Sequence, residues 1–437
     1  MSRLQHFGWF LARGFGPQGW GYPSLDWDYD WTRPEIYQDA ARTLEQAGFD
    51  LVIIEDAPSL GSPETIDLRV RHAFGGPKHD PLLLAPYLFQ ATRHLGVFPT
   101  VNPAASLPYT AARQFASLHH LSGHRLGLNV VTDTGCARHF SDAPPLGHDE
   151  AYDRAEEWLS GIRDLWRSWD DGALVRDRDT DVYADGTRLH AVQHRGTHFA
   201  FDGPLNAVPF TDGEPAIASP GGSGRGLGFA GANSDVQLAL APLHESSVRA
   251  YRAKIHDAAR AQGRRPDDVK VLFAIPPVIV SSAEEADRIV AASAHPDDEA
   301  LRQIARKQSS DLETDLTALD LDRPLDPAVF GPHVSRGSIQ RLLGDREDDA
   351  PLRAHLTALA RAGRISDRSG FVGTAEEFAD LVEELGSWGN DGVLLWGDFH
   401  PVTLHRTLDE LVPILRRRGI LRRDWADGGI HANLRAF

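Results

Sequence analysis

Residues 219–228 read SPGGSGRGLG, five glycines in ten positions, between the apolar run PAIA and the small-residue run FAGANSD. Glycine inside an element costs up to about 1 kcal/mol relative to alanine, so a cluster marks backbone that adopts positive φ or approaches something closely. If the loop joins a strand to a helix, its free N–H groups and the positive end of the helix dipole converge on one point, which suits an anion such as a phosphate. Ser223 could add a hydroxyl donor. A flexible surface loop has the same composition, and the glycines by themselves leave both readings open. Polar residues also close several apolar runs: Asp56 in IIEDAP, Asn102 in PTVNP, Asn129 and Thr132 in LNVVTD, and Ser219 at the glycine loop. Each alone reads as a turn former or helix cap. Beside a phosphate-type loop, several together read as a site.

The elements that must position these residues follow from periodicity. FGWFL (7–11), FDLVIIED (49–56), LGVFPTV (95–101), RLGLNVVT (125–132), PAIAS (215–219), DVQLAL (235–240), VKVLFAIPPVIV (269–280) and GVLLWG (392–397) read as about eight strands. Segments of helical spacing alternate with them, such as PEIYQDAARTLEQAG, with proline at its start and glycine at its stop. This alternation predicts a closed (β/α)8 barrel in preference to an open doubly wound sheet, with chemistry at the C-terminal ends of the strands. Two intervals exceed simple βα units: about 133–214, opened by the helical stretch DEAYDRAEEWLSGIRDLWRSW, and about 281–391. They are expected as elaborations beside the mouth, after strands 4 and 7.

Composition narrows the partners. The 437 residues carry 62 acidic against 45 basic side chains, a net charge of −17, which disfavours nucleic acid and anionic membrane surfaces. Small-molecule chemistry is the expectation. The single cysteine, Cys136, excludes an internal disulfide and a Cys-rich zinc site, and the N-terminus lacks a signal-peptide pattern, so a cytoplasmic location is expected.

Four stretches resemble the reduced-flavin-dependent monooxygenases of the bacterial-luciferase-like superfamily, in the branch of nitrilotriacetate, EDTA and dibenzothiophene-sulfone monooxygenases and the pristinamycin synthase subunit. They are YTAARQFASLHHLSGHRLGLNVVTD, HDEAYDRAEEWLSGIRDLWRSW, HRGTHFAFDGPLNAVPF and GTAEEFADLVEELGSWGNDGVLL. The resemblance spans almost the whole chain and implies a single TIM-barrel domain over 1–437. It implies that the glycine loop cradles the phosphate of FMN through Ser223 and the backbone around Gly222 and Gly224. Asp56, Asn129 and the pair His148 and Tyr152 fall on matching flavin positions, Asn102 stands at one where members usually have serine or threonine, and His148 is also the candidate for proton transfer. Four residues apart on a helix, that pair shares a face.

The implied reaction is insertion of one atom of O2 into a small organic substrate through a flavin hydroperoxide. A separate NAD(P)H-dependent flavin reductase would supply the reduced FMN, and a homodimer or homotetramer is the expected assembly. No metal is expected. The chain departs from the pattern at GFGPQGWGYP (14–23), where members often carry a His-His pair, and at Leu227, where an arginine is usual; Arg225 is the substitute cation within reach. Trp9, Trp20, Tyr22, Trp27 and Trp31 supply aromatic groups for the rim or for packing, whereas Trp166 and Trp169 read as core or subunit contacts.

Three other readings compete. GLGFAG (226–231) satisfies the dinucleotide fingerprint, but the position about 20 residues on falls in APLHESS and not at the end of a strand. HRGTH (194–198) has helical ligand spacing without the glutamate of a metalloprotease helix. A barrel that binds FMN without oxygenating anything remains compatible with every residue above.

Overall fold

The computed structural model describes residues 3–12, 31–61, 63–132, 135–140, 146–210, 213–330, 339, 342–344, 349–365 and 370–437. Eight strands close into a parallel barrel: β1 (His6–Leu11), β2 (Leu51–Ile54), β3 (Gly96–Val101), β4 (Gly127–Val130), β5 (Ala216–Ser219), β6 (Val236–Ala239), β7 (Lys270–Ile275) and β8 (Gly392–Gly397). Around the ring the order is β1-β8-β7-β6-β5-β4-β3-β2. The helices between and after them are α1 (Glu35–Ala47), α2 (Pro81–Ala91), α3 (Pro108–Leu121), α4 (His148–Trp166), α5 (Gly224–Asn233), α6 (Glu245–Ala261), α7 (Ala375–Ser387) and α8 (Pro401–Arg417). The (β/α)8 expectation therefore holds.

Side-chain alternation along the strands separates two cores. Val52, Ile54, Val97, Leu128, Ile217 and Val393 face the helices, and Leu51, Ile53, Phe98, Ala218, Leu272 and Leu394 fill the barrel. Gly127 is required on the inner face, because a methyl group there would overlap the Phe98 ring. A short C-terminal helix (Gly429–Arg435) drives Ile430 and Leu434 into the N-terminal end of the barrel and seals its floor.

Helix ends obey local chemistry. Gly48 closes α1 with φ +96° and its N–H returns to the last carbonyls. Asp80 caps α2 by accepting from Leu82 and Leu83. Pro34 is the cap of α1 itself and not its first turn, a shift of one residue from the sequence reading.

Between β4 and β5 the chain forms α4 and two small hairpins, Leu174–Asp177 with Val182–Ala184 and Gln193–Arg195 with Ala200–Asp202. Between β7 and β8 it forms helices Ala283–Ser293, Asp298–Leu312 and Leu352–Ala360, with a separate apolar core around Leu301, Leu312 and Leu356. The apolar run 269–280 is two strands. Pro276 and Pro277 lack N–H donors, so the barrel ladder stops at Ile275, and Pro277–Ile279 instead pairs in parallel with Phe371–Gly373. Among the described residues no helix is long and apolar enough to cross a membrane.

Candidate active site

The glycine stretch divides at Ser223. Pro220, Gly221 and Gly222 form the loop after β5, while Gly224, Gly226 and Gly228 lie in the first turns of α5. Ser223 is the N-cap, its Oγ accepting from the Gly226 N–H at 3.0 Å. The Leu227 N–H bonds back to the Ser223 carbonyl, so the N–H groups of Gly224 and Arg225 are the ones at the helix start that the helix itself does not use. A Cβ added at Gly222 or Gly224 would meet nothing within 4 Å. The backbone there borders open space at the positive end of a helix, the geometry of an anion cradle.

Gly221 and Gly226 are glycines for a different reason. A Cβ on either would lie 2.7 Å from the Tyr152 hydroxyl and 2.8 Å from the other glycine's Cα. Tyr152, buried on α4, thus reaches the loop through a gap that only hydrogen atoms leave. His148 opens α4 one turn earlier, 5.3 Å from the Tyr152 ring. Its Nδ1 lies 2.7 Å from the Asp149 carboxylate and its Nε2 3.3 Å from Ser223 Oγ. With the ring proton on Nδ1, Nε2 accepts from the serine hydroxyl. Gly222, Ser223, Gly224, His148 and Tyr152 are therefore brought together in space.

Three further residues expected at the site continue around the mouth. Asn129 faces inward on β4 opposite Thr100; its Nδ2 donates to Thr100 Oγ1 (2.8 Å), which donates to the Ile54 carbonyl (2.7 Å). The Asn129 Oδ1 is buried with no hydrogen-bond partner. Asn102 follows β3, accepting from the Ala104 N–H (2.9 Å) and donating toward Cys136 Sγ (3.3 Å). Asp56 follows β2 and lies 3.8 Å from Lys78 Nζ, which is 3.2 Å from Glu55. Burial pushes the Asp56 carboxyl up to about 6, against the pull of Lys78. With the glycine loop after β5, these residues lie on or just after β2, β3, β4 and β5, four consecutive staves of the ring.

The opposite arc is hollow. A cavity of about 640 Å³ opens beside β1, β7 and β8, between Trp396 and Asp398 at the end of β8, the segment Val278–Val280, and α8. Trp396 is 38% exposed and packs edge-on against Phe10 at 5.6 Å. Asp398 accepts from the His400 N–H at 3.1 Å, and burial raises its carboxyl above the ordinary aspartate value.

The family model for luciferase-like monooxygenases matches residues 6–392. The chain belongs to this family. This luciferase-like protein is 32% identical to dibenzothiophene-sulfone monooxygenase of Rhodococcus erythropolis (strain XP), over 99% of its own length and 97% of that protein. It is 30% identical to nitrilotriacetate monooxygenase component A of Aminobacter aminovorans, over 97% and 94% of the two chains. Its structure matches riboflavin lyase with modified FMN and riboflavin at a TM-score of 0.82 and 26% identity, covering 100% of this chain and 96% of that one.

Several sequence readings are corrected by the luciferase-like barrel. Arg225 does not serve the cradle: its guanidinium is forked onto Glu156 (2.7 and 2.8 Å) and Asp153 (2.6 Å) on α4. GLGFAG lies inside α5 and is no strand-to-helix turn, which removes the dinucleotide reading. His194 belongs to a hairpin strand and contacts Glu157 at 3.0 Å; among the described residues no group of three His, Cys, Asp or Glu side chains could hold a metal ion. Of the two roles expected for Trp9, packing is the one observed: it is buried outside the barrel near Phe49, its ring against Gly397 at the end of β8. Trp20, Tyr22, Trp27 and the segment 14–23 lie outside the described residues. Trp31 is 5.6 Å from His79, and Trp166 is core, donating to the Ala112 carbonyl at 2.9 Å.

The sequence reading missed Gln237, fully buried on β6, which accepts from Ser219 Oγ (3.1 Å) and donates to the Gly221 carbonyl (3.0 Å), pinning the glycine loop. A lone amide in the apolar run DVQLAL was its signal. Ser219 is thereby an anchor of the loop.

Proposed function

We propose that this chain is the oxygenase component of a two-component system that uses reduced FMN and O2 to insert one oxygen atom into a small organic substrate. The observation that carries the reading is the cradle at the start of α5, where unused N–H groups, Ser223 and His148 converge on open space beside two glycines. The unpartnered Asn129 oxygen on the inner face of β4 is a second point at which the residues fit a flavin, as an acceptor for a ring N–H.

Reduced FMN, when bound, supplies the electrons that activate O2. The chain supplies the rest. Gly222, Ser223, Gly224, His148 and Tyr152 would hold the phosphate end and thereby fix the ring across the mouth. Asp56, Asn102 and Asn129 would line its edge along the arc from β2 to β4. The elaborations after β4 and β7 would cover the mouth and exclude water. With a carboxyl pushed up to about 6, Asp56 can hold a proton near neutral pH at the rim, whereas exposed His148, bound to Ser223, belongs to the phosphate end. The two sides of the mouth then divide the work. The β2–β5 arc binds cofactor, and the β1–β8–β7 arc is left for substrate.

The reading is tested by mixing the chain with FMN, NADH, a generic flavin reductase and isotopically labelled O2, and screening sulfides, sulfones and heterocycles by mass spectrometry. Product carrying one labelled atom, dependent on the reductase, is expected. Tight FMN binding with no labelled product from any compound overturns the oxygenase reading in favour of a flavin-binding barrel.

A further inference from the structure

The cavity beside β8 carries information about what it receives. One wall is apolar, formed by Val278, Ile279, Val280 and Ile289, and Trp396 faces the same space. The charges on its lining are unevenly placed. Lys307, Arg406 and Glu410 are solvent-exposed at the rim, and Glu285 is turned back to accept from the Ser281 N–H at 3.1 Å. Asp398 follows β8 next to the barrel mouth, and among the described residues no lysine or arginine forms an ion pair with it. It accepts from the His400 N–H and from the Thr403 hydroxyl, both neutral donors, and the buried His400 imidazole is the titratable group that faces it.

We infer that this cavity is the substrate chamber and that its ligand is an apolar organic amine, seated with its body on the valine-isoleucine wall and Trp396 and its N–H or ammonium group on Asp398. The identification of the ligand as substrate rests on the oxygenase reading above; the binding chemistry does not. A carboxylate or sulfonate entering this end would be desolvated against another carboxylate that no lysine or arginine pairs with, which is unfavourable in a partly dry site. An ammonium gains the Asp398 carboxylate and the face of an exposed indole together. A neutral hydroxyl donor gains only the hydrogen bond.

The order of affinities is therefore amine, then alcohol, then acid. Three naphthalene probes with the same body and different substituents test it: naphthylmethylamine, naphthylmethanol and naphthoate, titrated calorimetrically into the flavin-free full-length chain. The amine should bind at least roughly tenfold more tightly than the acid, the ratio that about 1.4 kcal/mol produces. Asp398→Asn keeps an oxygen for the His400 N–H and should erase the preference of amine over alcohol. Val402→Trp, at an exposed position on the lining, should weaken all three probes without unfolding the chain. The inference is overturned by naphthoate binding as well as the amine, by an amine preference that survives Asp398→Asn, by affinities indifferent to Val402→Trp, or by no binding of any probe. Because no flavin is present, the probe order reports on the cavity alone, and the labelled-oxygen screen reports separately on the proposed reaction.

Discussion

The floor and the mouth of the barrel are built from similar residues to opposite ends. At the floor, Asp50 is fully buried but faces Arg422 at 3.3 Å and accepts from the Phe7 N–H at 3.0 Å. Arg125 donates to the Ser122, Phe89 and Leu95 carbonyls and to Thr92 Oγ1, and the C-terminal helix closes over the centre. At the mouth, Asn129 retains an unanswered oxygen, Asp56 and Asp398 are carboxyls raised by burial, and the start of α5 keeps unused N–H groups. Both ends keep orphaned polar atoms, His6, Asp50 Oδ1 and Arg422 Nε at the floor among them, but the floor is sealed under the C-terminal helix whereas the start of α5 borders open space, where a ligand can supply what the chain omits.

That contrast breaks most visibly at the floor. Arg422→Ala strands the Asp50 carboxylate without its guanidinium partner and should lower stability by about 3–5 kcal/mol, read as a large fall in unfolding temperature by calorimetry. At the mouth the analogous lesion is steric. Gly226→Ala places a methyl group 2.7 Å from the Tyr152 hydroxyl, and displacing that ring should weaken FMN binding roughly tenfold or more, while Gly222→Ala, with open space, should leave the fold unchanged. Equilibrium dialysis with FMN measures the first and the unfolding temperature compares the two, and an equal loss of stability in both variants would refute the steric account.

The pH response should separate the two ends as well. His119, packed against His124 and Phe210 near the floor, is held neutral by burial with its pKa lowered to about 3. The unfolded chain then binds the proton that the folded chain refuses, so this stability is present above about 6.5 and is lost as pH falls toward about 3. Asp56 has the opposite sign. Its carboxyl is raised from 3.8 to about 6, so its contribution is present below 3.8 and is lost as pH rises through 6. Unfolding temperatures should therefore fall on the acid side less steeply in His119→Phe, and Asp56→Asn should gain stability over the parent at pH above 6 and not below 4.

The smallest expected change is at Asn129. Leucine there removes the orphaned oxygen and should be neutral or stabilising by about 1 kcal/mol, with FMN affinity reduced. A clear loss of stability in a chemical denaturation curve would mean that the amide serves the fold and not a ligand.

How legible these regions were in the sequence depends on how local their determinants are. The cradle was legible because ten consecutive residues carry it, and because His148 and Tyr152 repeat at one helical turn. The β2–β4 arc was legible as polar residues closing apolar runs. The cavity was not: it is assembled from segments near residues 12, 74, 278, 307, 396 and 403, none with a motif of its own. Arg225 shows the reverse error, since a cation beside the glycine loop in sequence is pulled onto α4 by two carboxylates 69 and 72 residues away.

The alternation of apolar runs with helical spacing, punctuated by glycine and proline, determined the eight βα units and their order. These signals are short-range, written in backbone propensity and burial period. Which polar groups face one another across the mouth, which are answered and which are left open, was decided only when the ring closed. Closure places strands distant in sequence side by side, and no local pattern encodes that distance.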